Sequence, residues 1–563
     1  MKKIISVLLS VLMIFSVVCV GVSAADENSG LVIAVANDTH YNMAGANYTG
    51  TYTEDYANVV TTGQLKLENE LIIDEFLAQV AAGDCEAVLI PGDITDNGLK
   101  EEHLYIAAKF LKFEQETGKQ IYVVPGNHDY IRYRKDGVDP EYIRTVYAPF
   151  GYAQAIAHDT ATASYVADIN DEYRLLAIDA SSGVVVKVTQ ELCDWIEAQA
   201  VKAQQDGKKL IAMSHYNLLE HLVLVETIHP GSILNTEFGL PELFAKYNIK
   251  YHFTGHTHDH DVAEYTGSNG VTIYDIVTAS LNAYPNPYRI VRFGEDVKIE
   301  TKFIDKIDTT SLKGKITDAT YTLATENFPE YSKNLLSMGL EKTINNFLTA
   351  KKIKSVLKLD SEEDAELCAI IDKIIPGFVK VANMPLYKED ETVKGESMES
   401  ILSEYEISIP ESEYSSFVNL AVGLYNAHLV GDENNGILSR DFAILTACLT
   451  GSLNYILADV TAEEYATVMS LACELLGAQV PVDFFSYAGT GLKKAEGIDI
   501  FIAAVASPIF LEFTTDIDPD DNNVTLSGYT VKVEEPVELT FWEKVLQFFK
   551  DLLSYFLRII GIK

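Results

Sequence analysis

The chain has 563 residues, with 43 basic against 82 acidic side chains and a net charge of −39. Hydrophobic residues make up 48% and charged residues 22%, a globular balance that excludes collagen-like, coiled-coil and wholly disordered chains. So acidic a surface repels phosphate backbones and excludes charge-driven binding of nucleic-acid polymers; an anionic substrate would need a local positive centre, for which bound metal is the natural source.

Residues 1–24 read as a secretory signal peptide. Lys2 and Lys3 precede an apolar run from Ile4 to Val20, and Val22-Ser23-Ala24 is a small-residue cleavage site. The expectation is a secreted, extracellular protein. Cys19, Cys85, Cys193, Cys368, Cys448 and Cys473 are widely spaced with no C-x-x-C, which fits neither a disulfide framework nor a cysteine zinc site. They read as small buried apolar residues.

The first half alternates strand and helix. Leu31 to Ala36 is a short apolar run, and Gln64 to Ala82 has helical spacing. Ala87 to Ile90 is strand-like and ends in Pro91-Gly92; Leu99 to Glu116 is helical; Ile121 to Val124 is strand-like and ends in Pro125-Gly126. Further apolar runs are Leu175–Ile178, Leu210–Met213 and Tyr251–Phe253. This pattern predicts an α/β domain over 25–305 with buried strands, its site at the loops that follow their C-terminal ends.

From about residue 306 the period becomes helical. Leu367, Ile370, Ile371, Ile374, Ile375 and Phe378 keep 3–4 spacing, as do Tyr414, Phe417, Val418, Ala421 and Leu424. Thr461-x-x-Glu464 is a capping box before Tyr465, Val468 and Met469. An all-α domain over 306–512 is expected. Residues 513–540, with Asp516, Asp518, Asp520, Asp521, Glu534 and Glu535, read as an acidic linker. The calcium-loop reading fails, since a loop starting at Asp516 would need Gly at 521 and Glu at 527, where the chain has Asp521 and Ser527. Residues 541–563 form an amphipathic helical pattern with Trp542, Leu546, Phe549, Leu553 and Phe556 on one face. This suits a membrane surface, a docked terminal helix or a partner helix.

Eleven of the twelve histidines lie between His40 and His260, and only His428 lies later. Five polar clusters follow the predicted strands: Asp38-Thr39-His40, Gly92-Asp93-Ile94-Thr95-Asp96-Asn97-Gly98, Gly126-Asn127-His128-Asp129, Ser214-His215-Tyr216 and Gly255-His256-Thr257-His258. Each alone is weak. Together and in order, two carboxylates, four imidazoles and an amide suit hard-to-borderline divalent metals. Asp96 has a plainer reading, as a cap on the helix that begins near Leu99.

The order D-x-H, G-D-x-x-D, G-N-H-D, H, G-H-x-H resembles the calcineurin-like metallophosphoesterase superfamily, over roughly residues 31–303. The resemblance implies a β-sandwich flanked by helices with a two-metal centre at one edge. Asp38, His40, Asp93 and His258 would hold one ion; Asp93 would bridge to a second, held also by Asn127, His215 and His256; manganese, iron and zinc all suit these ligands. His128 would face the leaving-group oxygen and Asp129 would fix its orientation. Two ions about 3.5–4 Å apart clamp the attacking and leaving oxygens of an in-line displacement, and a bound water can ionise near pH 7. An imidazolium at His128 can protonate the departing alkoxide. Asp96 stands where purple acid phosphatases carry a tyrosine ligand, and Asn97 where protein phosphatases carry an arginine. The motif set looks more like bacterial cyclic-nucleotide-phosphodiesterase-type extracellular enzymes. The expectation is therefore a secreted dinuclear phosphodiesterase. Its alternatives are a phosphomonoesterase and a surface binding protein with a retired site. His252, Asp259, His260 and Asp261 crowd the last motif, either supporting the ligands or simply solvated. Tyr41, Tyr130 and Tyr216 each follow a motif and are candidates to line a pocket, as is the segment Tyr284–Arg289.

Overall fold

The computed structural model describes residues 30–43, 63–130, 138–182, 188–221, 231–234, 238–356, 359, 364–388, 396–404, 408–431, 440–456, 461, 464 and 521–529. The leader, residues 465–520 and the amphipathic segment 541–563 lie outside them. No helix among the described residues is long and apolar enough to cross a membrane.

Strands β1 (Val32–Val35), β2 (Ala87–Pro91) and β3 (Gln120–Val124) pair in parallel, with Ile33 opposite Ala87 and Val88 opposite Ile121. Nearly every residue in them is buried, as expected of strands covered on both faces. Helices α1 (Asn69–Ala82) and α2 (Lys100–Thr117) connect them. The buried face of α1 carries Ile72, Ile73, Phe76, Leu77 and Val80, each stabilising the fold by about 1.5–3 kcal/mol. Glu102 caps α2 by accepting the N–H groups of Leu99 (3.4 Å) and Asn97 (3.2 Å), and the helix stops at Gly118, whose φ of 73° frees its N–H for Glu114 O at 2.8 Å.

The second half of the sandwich contains β4 (Ala157–His158), β5 (Tyr165–Asp168), β6 (Tyr173–Ile178), β7 (Lys209–Ser214), β8 (Tyr251–Thr254), β9 (Asp261–Thr266) and β10 (Thr272–Val277). The short helix α3 (Pro140–Val146) precedes β4. Strands β6, β7, β8 and β10 run parallel, and α4 (Gln190–Gln205) and α5 (Leu240–Lys246) cover the outer face. The seven-stranded order is β4-β5-β6-β7-β8-β10-β9. Across the sandwich β2 faces β7 and β3 faces β6, so Val88, Ile90 and Val123 share one core with Ile211, Met213 and Phe253. Two further strands, β11 (Pro287–Phe293) and β12 (Val297–Phe303), extend the first sheet antiparallel beyond β1. The segment Tyr284–Arg289 turns within this core: Asn286 Oδ1 accepts from Ser332 Oγ at 2.6 Å, and Pro287 starts β11.

Beyond β12 the chain is helical: α6 (Asp318–Glu326), α7 (Phe328–Phe347), α8 (Ala350–Val356), α9 (Ala365–Ala382), α10 (Met398–Ser403), α11 (Phe417–His428) and α12 (Arg440–Ile456). Ile370, Ile374, Leu402, Leu420, Leu424, Ile444 and Cys448 form a separate apolar core. The Thr461 capping box closes reciprocally, with Thr461 N to Glu464 Oε2 at 2.8 Å and Glu464 N to Thr461 Oγ1 at 3.2 Å. Cys85, Cys193, Cys368 and Cys448 are buried free thiols.

Two expected boundaries shift. Leu312, Ile316, Phe328, Tyr331 and Leu335 join the sandwich core, so the start of the helical region belongs to the first domain. The expected acidic linker fails over 521–529: β13 (Asn523–Leu526) pairs antiparallel with β12 as the sixth strand of the first sheet. Val524 and Leu526 alternate inward there, a period-2 signal too short to stand out beside the aspartates. The buried Asp521 accepts the N–H of Val262 at 2.9 Å, Lys250 Nζ donates to Ser527 O (3.0 Å) and Gly528 O (2.8 Å), and Tyr529 Oη donates to Leu210 O at 2.5 Å.

Candidate metal centre

The five clusters follow β1, β2, β3, β7 and β8, all parallel members of their sheets, so their loops emerge at one edge of the sandwich. Five of the residues there hold positive φ: Asp38 (51°), His40 (42°), Asp93 (44°), His256 (71°) and His258 (63°). Left-handed backbone is unfavourable for side-chain-bearing residues, and it gathers where surrounding structure over-determines a functional loop. Glycines give the clearance. A Cβ on Gly126 would stand 2.2 Å from Asp93 Oδ1 and 2.4 Å from Asp93 N, and one on Gly255 would stand 2.3 Å from Asp38 Oδ2.

The expected ligands converge in two overlapping groups. In the first, His40 Nε2 lies 3.3 Å from His258 Nε2, 3.7 Å from Asp93 Oδ2 and 3.8 Å from Asp38 Oδ1, and His258 Nε2 lies 3.5 Å from Asp38 Oδ1. In the second, His215 Nε2 lies 3.3 Å from Asp93 Oδ2, 3.1 Å from Asn127 Oδ1 and 3.2 Å from His256 Nδ1. Asp93 Oδ2 faces both groups, while its Oδ1 accepts the N–H of His128 at 2.7 Å. His215 Nδ1 is turned to Pro91 O at 3.2 Å, so Nε2 is the nitrogen presented to the cluster.

Asp38, His40, Asp93 and His215 are at most 2% exposed. Burying so many charged and polar groups is costly unless each is paired. Yet Asp38 Oδ1, aimed at three imidazoles, accepts no hydrogen bond. That orphaned carboxylate oxygen, within a donor set of carboxylate, imidazole and amide, fits divalent cations. The electrostatics agree. Burial holds His40 well below the ordinary imidazole range, against the pull of Asp93, leaving its lone pair available. Burial opposes charge on His215 too, but Asp93 and Asp38 outweigh it and push its pKa up to about 9: the carboxylates favour positive charge at this point.

His128 sits at the rim with its side chain 41% exposed and its ring centroid 4.7 Å from that of His40. Its orientation comes from Asp96 rather than from Asp129. His128 Nδ1 donates to the Asp96 carbonyl at 2.7 Å, and Asp96 Oδ1 lies 3.7 Å away. Asp129 is spent elsewhere, accepting the N–H groups of Ile94 (3.1 Å), Thr95 (2.8 Å) and Gly126 (2.8 Å) and the Thr95 hydroxyl (2.9 Å). It ties the second motif to the third from beneath. Nor does Asp96 cap α2, which Glu102 does. Its Oδ2 accepts from Asn42 Nδ2 (2.5 Å) and Lys66 Nζ (3.3 Å), and its Oδ1 lies 3.7 Å from His40 Nδ1. Burial works against charge on His128, but Asp93 and the Asp96 carbonyl raise its pKa above the ordinary value.

The residues crowding the last motif are structural partners. His252 bridges Asp275 Oδ1 (2.8 Å) and Ser214 Oγ (2.9 Å), directly before His215. Asp261 and Asp275 both bind His221, which no motif singles out. His260 meets Thr301 Oγ1 at 3.0 Å, and Asp259 meets His428. Of the three tyrosines, Tyr216 packs its ring 4.3 Å from that of His256. The buried Tyr41 stacks on the exposed Tyr105, and Tyr130 Oη donates to Asp179.

No curated protein sequence matches the chain. Similar solved structures include a dimetal phosphatase from Danio rerio, at 12% identity and TM-score 0.33, covering 49% of this chain and 96% of that one. Another is a purple acid phosphatase from yellow lupin (Lupinus luteus) seeds, at 14% identity and TM-score 0.30, covering 48% of this chain and 51% of that one. The model of the calcineurin-like phosphoesterase family matches residues 31–260, the stretch that contains all five clusters. Residues 31–260 thus match a calcineurin-like phosphoesterase domain, and that match supports a phosphoester hydrolase.

Proposed function

We propose that the protein is a secreted phosphodiesterase with a dinuclear metal centre. One ion would be held by Asp38, His40, Asp93 and His258, the other by Asp93, Asn127, His215 and His256. The observation that carries this is the convergence of buried ligands on strained backbone around the unpartnered Asp38 Oδ1. Two bound ions would supply Lewis acidity and an acidified water. The chain's own contribution is orientation. The Pro91 carbonyl fixes the ring of His215, and Asp93 spends one oxygen on the His128 N–H so that the other is shared between the two groups. His128, pinned at Nδ1 and exposed at the rim, keeps Nε2–H for the oxygen that departs.

The diester preference is supported by how little positive charge the side chains offer. A monoester carries nearly two negative charges at neutral pH and a diester one. Among the described residues Lys66 is the one ammonium or guanidinium bonded to the cluster, and Asp96 neutralises it. Asn97, in the place of an arginine clamp, is bound to Glu102 at 3.1 Å. Secretion rests on the leader pattern of residues 1–24.

The deciding experiment compares hydrolysis of a nitrophenyl diester and the matching monoester by protein reconstituted with manganese. The diester is expected to have the higher kcat/KM, with activity lost in Asp93→Ala. Faster monoester turnover would replace this reading with a phosphomonoesterase. Silence toward both, with less than one ion bound per chain, would indicate a retired site.

A further inference from the structure

His428, the only histidine in the second half of the chain, ends α11 with its Nε2 3.4 Å from Asp259 Oδ1, both side chains 4% exposed. Asp259 directly follows His258 in a loop whose backbone is already left-handed at the ligand. Beyond α11 the chain turns at Gly431 (φ 76°), where a Cβ would stand 2.9 Å from Asp521 Cβ and 3.1 Å from His260 Cδ2. The Val430 carbonyl accepts from Asn522 Nδ2 at 2.9 Å. Residues 258–262 are therefore held from two sides. The sheets grip His260 through Thr301 and Val262 through Asp521, and the helical region grips Asp259 through His428.

The C-terminal end of a helix carries partial negative charge, which favours a cation in its last turn. His428 stands in that last turn and presents its Nε2 to the buried carboxylate of Asp259 at 3.4 Å. Without His428, the buried carboxylate of Asp259 would face the negative end of the helix without that contact, a cost of the kind that moves a loop. His258 is one residue away and has no slack in its backbone.

We propose that His428 is a positioning residue for the ligand His258, acting through Asp259, so that the helical region is built into the metal centre. The proposal rests on reading the edge as a metal site. It is tested on the full-length protein, stripped of metal and titrated with Mn²⁺ by calorimetry, with melting of the metal-free protein as the control. His428→Ala is expected to weaken one of the two binding events about 10- to 100-fold, the range found when supports of metal ligands are removed. His428→Gln, which keeps a donor, should recover most of that loss. Asp259→Asn should weaken the same event while leaving α11 intact, and it decides the matter if His428→Ala does not fold. The double variant should be no worse than the weaker single one, since both remove one contact. Equal Mn²⁺ affinity in His428→Ala and the parent, a loss that His428→Gln does not recover, or additive losses would overturn the proposal. A parent protein that binds no Mn²⁺ would overturn the metal-centre reading itself, which the other outcomes leave standing.

Discussion

At the strand-end edge Asp38, His40, Asp93 and His215 are withdrawn from solvent, the first three on left-handed backbone. In the helical region α9 and α11 bury Ile370, Ile374, Leu420 and Leu424 on ordinary helical backbone, and the polar groups are left mostly outside. The first arrangement trades stability for chemistry and the second supplies stability without chemistry. A substitution at the edge should therefore change function more than folding, and one in the helical core should do the reverse.

The strongest test of that contrast is His128→Ala. On the proposed leaving-group role, its loss should lower kcat about 10²- to 10⁴-fold for esters with alkoxide leaving groups. It should matter far less for nitrophenyl esters, whose leaving group departs without a proton. Equal losses on both substrates would remove the leaving-group role. Ile370→Ala comes next. Truncating a side chain that is 2% exposed should cost about 2–5 kcal/mol of unfolding free energy. Turnover per folded molecule should stay unchanged, as read by denaturant unfolding beside active-site titration. Gly126→Ala should then weaken Mn²⁺ binding about 10- to 100-fold, because the added methyl meets the backbone nitrogen of Asp93 and cannot be absorbed by a side-chain rotation. Retained affinity with a lowered melting temperature would place the edge on the same footing as the helical core.

The smallest effect concerns pH. Burial opposes charge on His221, but Asp261 and Asp275 outweigh it and push its pKa up to about 10. A pKa raised on folding gives stability that is complete below the unfolded value, about 6.5, and lost as pH rises through the folded one. Burial would raise the Asp275 pKa, yet His252 and His221 hold it below the ordinary range. That contribution is present above about pH 4 and lost in acid. The melting temperature should thus fall from pH 7 toward pH 10, and His221→Gln should flatten that slope. An unchanged slope would remove His221 from the account.

Much of the edge was legible because each motif follows an apolar run ending in glycine or a turn, which places its side chains at a strand end without any knowledge of pairing. Asp38, His40, Asp93, Asn127, His215, His256 and His258 could be gathered that way. The partner of His128 could not. Asp96 reaches it through its main-chain carbonyl as well as its side chain, and no residue type announces a carbonyl contact. Asp129, adjacent to His128 in sequence, points instead into the N–H groups of Ile94, Thr95 and Gly126. His221 was invisible for a similar reason, since its carboxylates lie on β9 and β10, forty or more residues later. The helical stretches announced themselves by period, as Ile370 and Ile374 show. β13 did not, because four residues carry too few alternations to compete with the acidic run before them.

That last strand bears on how the molecule is made. The edge of β12 waits for a partner encoded about 220 residues later. At roughly 5–20 residues per second of synthesis, the wait is on the order of 10–45 s. An unpaired strand edge invites pairing with another chain. During that interval Lys298, Glu300 and Lys302, alternating along β12 with the inward Val297, Ile299 and Thr301, keep the waiting edge charged. The newborn chain thus guards the sheet with its own side chains until its far end arrives to close it.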